Sequence, residues 1–129
     1  MRNWIKLVES ASQVLYHVTP KQNLEAILRD GINPTSYWAI EEVSDYYAEN
    51  IEDNGDDYIT FALPLARILS PIPDMPGIEE PVVFRALGKR ETQVHAEWAD
   101  SDKSWKASLE IIGSIASAVP IHVTAADLI

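Results

Sequence analysis

The chain has 129 residues, read as a single domain over 1–129: long enough for one real core and too short for two. Its hydrophobic content of 47% is ordinary for a globular protein, while the net charge of −10, from 20 acidic and 10 basic residues, opposes generic binding to nucleic-acid phosphates and suits a small-molecule pocket or a basic protein surface. No cysteine is present, which removes disulfides, thiolate metal sites and thiol nucleophiles; no signal-like or membrane-length apolar run occurs, so a cytoplasmic protein without membrane contact is expected.

In chain order, Trp4, Leu7 and Val8 share one side of a predicted short helix over 3–12. "VLYHV" (14–18) is rich in strand formers. In "TPKQ", Thr19 as N-cap, Pro20 at the first helical position and Gln22 at the third predict a capped helix. Leu24, Ile27 and Leu28 form its apolar stripe and Gly31 its stop. A brief strand over 36–39 leads to a second helix, in which Ile40, Val43, Tyr47 and Ile51 recur at helical spacing and the acidic residues fall mainly elsewhere. The "IEEVSDYYAENIEDNGDD" charge run reads as a solvated helix face and turn. After the Asn-Gly turn, "YITFAL" (58–63) is a strand, and 70–81, with four prolines and a glycine, predicts a rigid loop without regular structure. "VVFRAL" (82–87), "TQVHAEW" (92–98) and "SLEIIGSIA" (108–116) are further strand candidates, and "TAADLI" a final helical turn capped by Thr124. The order predicts an α+β fold, its strands mostly antiparallel toward the C-terminal end.

Several chemistries lack their motifs. The five glycines are scattered singly, so no phosphate-binding loop exists, and no serine elbow supports a Ser-His-Asp system. His95 and Glu97, two apart on one face of a predicted strand, have no third ligand nearby, and no metal is expected. Three blocks remain: "LYHVT" (15–19), "YWAIEEVSDYYA" (37–48) and "SLEIIGSIASAVPI" (108–121). Each alone has an ordinary explanation: a hydrogen-bonded strand histidine, core aromatics, a glutamate on a wet face. Their order carries the interest.

In that order the blocks resemble the ADP-ribosyltransferase-fold family. "LYHVTPKQNLEAILRDGINP" looks like the family's opening strand and helix, which begin with a Tyr-His-Gly-Thr-like motif. In the second block Tyr37 matches a strand tyrosine and Tyr47 a helix tyrosine, with one residue deleted between them. Ser44 falls where the poly-ADP-ribosylating enzymes hold a serine against the nicotinamide amide. In the third, Glu110 matches a late-strand glutamate before a Pro-Ile ending; Glu91 and Glu97 are rival carboxylates. The resemblance spans Leu15 nearly to the C-terminus and implies a mostly antiparallel split β-sheet with N-terminal helices. It departs from the family at Val18, where glycine is usual, though that residue's backbone N–H and C=O remain able to pair with the nicotinamide amide.

The resemblance implies that NAD is the substrate and that its nicotinamide–ribose bond is broken, with transfer to a protein acceptor or hydrolysis. His17, Val18 and Thr19 would hold the ribose and amide, Tyr37 and Tyr47 would sandwich nicotinamide, Ser44 would bond its amide, and Glu110 would be catalytic. The residue types suit that chemistry, because a carboxylate stabilises an oxocarbenium-like sugar, phenol rings stack on a flat ring, and a neutral imidazole offers a directional donor. Family habit further implies a bacterial or phage effector. A different expectation rests on charge: a non-catalytic acidic protein on the same fold that covers a basic or nucleic-acid-binding partner, with transfer onto nucleic acid disfavoured by the field.

Overall fold

A computed structural model describes residues 13–129; the helix expected over 3–12 lies outside the described residues. The architecture is α+β, with five antiparallel strands and, among the described residues, five α-helices. The strands are β1 (Val14–Pro20), β2 (Tyr37–Ala39), β3 (Tyr58–Pro64), β4 (Pro71–Pro73) and β5 (Ser114–Ser117), in the order β3-β1-β2-β5-β4. The helices are α1 (Leu24–Asp30), α2 (Glu41–Asp53), α3 (Pro81–Leu87), α4 (Glu91–Ala99) and α5 (Trp105–Ile112).

Strand alternation sorts the apolar residues into two cores. Leu15, Ile32, Trp38, Phe61, Leu63 and Ile115 belong to one, while Ala39 joins Val43, Ile78, Val83, Val94 and Ile112, drawn largely from the helices, in the other. In β2, Trp38 therefore faces one core while Tyr37 and Ala39 face the second, which sets the geometry of the site.

Several local expectations change. Residues 82–87, 92–98 and 108–112 are helical, and only the tail of the third predicted strand survives, as β5. Capping decides this. Pro81 opens α3 behind Glu80, whose carboxylate accepts from the Val82 N–H at 3.4 Å, and Gly88 closes it at φ 65°. Ser104 caps α5 by accepting from the Ala107 N–H at 3.1 Å, and Gly113 ends it at φ 70°. Thr19 is no helix cap: it stays in β1, its hydroxyl accepts from the Asn23 side-chain amide at 2.9 Å, and a 3₁₀ turn (Lys21–Asn23) precedes α1. The proline-rich 70–81 segment does hold regular structure, namely β4 and a 3₁₀ turn (Pro76–Glu79).

Candidate functional site

β1 and β2 are paired at one position, Tyr16 with Ala39, and the next pair in that register would be Val18 with Tyr37. There the ladder splits, and side chains take over the backbone groups. The His17 Nδ1 lies 2.8 Å from the Tyr37 carbonyl oxygen. The Tyr37 hydroxyl donates to the Val18 carbonyl at 2.7 Å and accepts from the Val18 N–H at 3.1 Å. A carbonyl only accepts, so Nδ1 carries the proton and Nε2 of a neutral ring is a lone-pair acceptor. Burial lowers the His17 pKa, against the weaker opposing effect of the Tyr37 carbonyl, and so favours that neutral ring. His17 thus has an acceptor to offer a ligand, where a donor was expected; Nε2 has no hydrogen-bond partner among the described residues.

The Tyr37 ring continues to Tyr47 on α2. The two stack with centroids 4.3 Å apart and planes 19° from parallel, while the His17 and Tyr37 rings lie 4.9 Å apart. A third flat ring between the phenols would require roughly 7 Å, twice an ordinary stacking distance. The expected sandwich is therefore replaced by direct contact between its two halves. Tyr37 instead stacks on Tyr47 and pairs through its hydroxyl with both polar groups of Val18. Burial raises the pKa of both phenols, and the neighbouring Asp74 charge raises them further. Ser44, also buried, donates back to the Glu41 carbonyl of its own helix at 2.8 Å and does not reach the rings by a hydrogen bond.

On the opposite side of this junction His17 and Thr19 open onto a cleft of about 420 Å³, further lined by Asn23, Asp30, Asn33 and Ser36. Gly31 forms part of its wall: at φ 84°, with the Ile121 carbonyl oxygen 2.9 Å from where a Cβ would stand, only glycine fits.

Glu110 is elsewhere. It is exposed on α5, not on a strand, and lines a second cleft of about 420 Å³ with Lys89, Glu97, Asp100 and Ser101. Helical spacing carries it to the outer face while Ser108 and Ile112 turn inward. The late strand β5, Ser-Ile-Ala-Ser, has no carboxylate. Of the rivals, Glu97 accepts from Lys89 Nζ at 2.8 Å and lines the same second cleft, and Glu91 stands in the first turn of α4.

The carboxylate whose charge reaches both tyrosines is Asp74, which no catalytic or binding motif in the proline-rich segment marks out; that of Glu80 reaches Tyr47 as well. Asp74 is 3% exposed. The Ser114 hydroxyl of β5 donates to its Oδ2 at 2.7 Å, and the Gly77 N–H to its Oδ1 at 3.3 Å. Its own N–H donates to the Ser108 hydroxyl at 3.0 Å, which in turn donates to the Ser114 carbonyl at 2.7 Å. Burial raises its pKa, against the lowering by these donors. The only signal of it in the sequence is the Asp-x-x-Gly turn spacing at 74–77.

Along the outer face of α2, Glu41, Glu42, Asp45, Glu49, Glu52 and Asp53 are exposed, followed by Asp56 and Asp57 in the next turn. No lysine or arginine occurs between Arg29 and Arg67, and none of the eight acids forms an ion pair among the described residues. No protein-family model, curated protein or solved structure matches the chain.

Proposed function

We propose that the chain is a non-catalytic binding protein on an ADP-ribosyltransferase-like scaffold, and that the outer face of α2 docks a basic surface of a protein partner. The observation that carries this reading is the acid row, which forms no ion pair among the described residues. Glu41, Asp45, Glu49 and Asp53 follow one another at i, i+4, three like-charge pairs that each cost a helix roughly 0.2–0.5 kcal/mol. Glu52 and Asp53 also stand in the last turn without a basic residue, where the helix dipole disfavours negative charge. The arrangement lowers helix stability and presents a line of carboxylates about one helical turn apart, suited to lysine and arginine side chains that ordinarily meet phosphates.

A second reading is favoured by the convergence of His17, Tyr37 and Tyr47 at the sheet split: NAD binding, with bond cleavage. Glu110 has no part in that reading as the chain is folded. Asp74 would have to be the carboxylate, and the Tyr37 ring would have to leave Val18 and Tyr47 for nicotinamide to enter. The two readings separate in one experiment. The protein is incubated with labelled NAD, and separately passed over immobilised polyarginine at about 0.15 M salt. Background nicotinamide release, together with capture that weakens when Glu41, Asp45, Glu49 and Asp53 are neutralised, supports the docking reading. Nicotinamide release above background that is lost in Asp74→Asn supports the enzyme and removes the docking proposal.

A further inference from the structure

The turn before α3 and the first two turns of α4 bring together a group that neither reading uses. Glu91 and His95 are four apart on α4 and share one of its faces. Glu79 ends the 3₁₀ turn Pro76–Glu79 and reaches the same point from across the α3 segment. One ligand atom from each of the three lies within 4.8 Å of the others. His95 Nε2 and Glu79 Oε1 are 3.2 Å apart, close to the roughly 3.3 Å edge between two ligands of a tetrahedral ion with bonds near 2.0 Å.

An independent observation concerns the imidazole nitrogen. His95 Nε2 is itself shut off from solvent, although the imidazole is 39% exposed, and among the described residues it makes no hydrogen bond, only the 3.2 Å contact with Glu79. A buried polar atom left this way costs roughly 1–3 kcal/mol unless something satisfies it. The two carboxylates are exposed and free to close in, whereas the nitrogen that would bind first is already placed and shielded.

We propose that Glu79, Glu91 and His95 form a binding site for a divalent late first-row transition metal ion, Zn²⁺ foremost. One imidazole and two carboxylates suit such an ion better than Mg²⁺ or Ca²⁺, which take oxygen ligands almost exclusively. The fourth position is left to water, since both glutamates lie at the surface. The ion would tie the 3₁₀ turn to α4 and close the chain around α3. That staple would also hold in place the segment whose Asp74 is pinned against β5. His95 pairs here with Glu91 and Glu79, and not with Glu97, which is engaged by Lys89.

The test is calorimetric titration of the full chain, without an affinity tag, with Zn²⁺ at neutral pH. Saturable binding of one ion per chain is expected, with affinity reduced at least about tenfold in both His95→Gln and Glu91→Gln and unchanged in Glu97→Gln. Glu91 is exposed and makes no side-chain hydrogen bond among the described residues, so Glu91→Gln serves if His95→Gln fails to fold. Cobalt(II) absorption bands in the visible range, lost in the same two variants, would report the ligand field directly. Absence of saturable Zn²⁺ binding up to about 1 mM, or equal affinity in wild type and Glu91→Gln, overturns the site and leaves an ordinary ion pair.

Discussion

Asp74 and the acids of α2 put the same functional group to opposite uses. Asp74 is enclosed, and every donor around it is spoken for: the Ser114 hydroxyl and the Gly77 N–H meet its oxygens, and a side chain on Gly77 would run into it. The α2 carboxylates stand in a row that forms no ion pair among the described residues, four of them at a spacing that makes neighbours repel. A carboxylate that serves the fold is found among donors, whereas one kept where it weakens the fold has to be explained from outside it. That contrast supports the face of α2 as the proposed docking surface.

The largest expected effect comes from breaking the enclosed side. Asp74→Ala leaves the Ser114 hydroxyl without its acceptor and removes the side-chain tie between the end of β4 and β5, while the Gly77 N–H keeps the backbone carbonyl of residue 74, at a cost of about 1–3 kcal/mol in denaturant unfolding. Asp74→Asn sharpens the comparison through pH. Because burial raises the folded pKa, the native state holds its proton more tightly than the unfolded chain does. The contribution of this group is therefore fully present below about pH 4 and is lost as pH rises through the higher folded value. Stability of the wild type should fall more steeply over that rise than stability of Asp74→Asn; identical slopes would mean that the carboxyl is not desolvated as described.

Next in size is the sheet split. Tyr37→Phe removes both partners of Val18 where no strand replaces them, at about 1–3 kcal/mol, and should speed hydrogen exchange of the Val18 amide selectively. Unchanged exchange there would show that the phenol does not close this gap in solution. The smallest effect has the opposite sign. Neutralising Glu41, Asp45, Glu49 and Asp53 to Gln and Asn should stabilise the protein by roughly 1 kcal/mol at low salt, with the gain shrinking near 1 M salt. A loss of stability would mean that the row has partners within the fold.

Much of this contrast is legible in the sequence. The strand of His17, the helix of Tyr47 and the exposed acid face all follow from local pattern and charge, because 14–64 alternates clear strand and helix periods. Residues 82–112 mislead because their apolar runs are short and β-branched, which periodicity alone does not resolve. The deciding marks are present: Pro81 and Gly88 around α3, and Ser104 and Gly113 around α5, with Trp105, Ser108, Leu109 and Ile112 on a helical face between them. Turning 108–112 into helix is what takes Glu110 away from the tyrosines. Asp74 is out of reach for a different reason: its setting depends on Ser108 and Ser114, far along the chain, and no local pattern encodes that contact.

Under the docking proposal, position on α2, and not total charge, makes the binding surface. The sharpest test compares two variants of equal net charge, in the presence of chelator, for capture on immobilised polyarginine. One neutralises Glu41, Asp45, Glu49 and Asp53; the other neutralises Glu25, Glu91, Asp100 and Glu110, all exposed and off that face. Capture should weaken at least about tenfold for the first and less than about twofold for the second. Equal weakening of both would contradict a surface built by position.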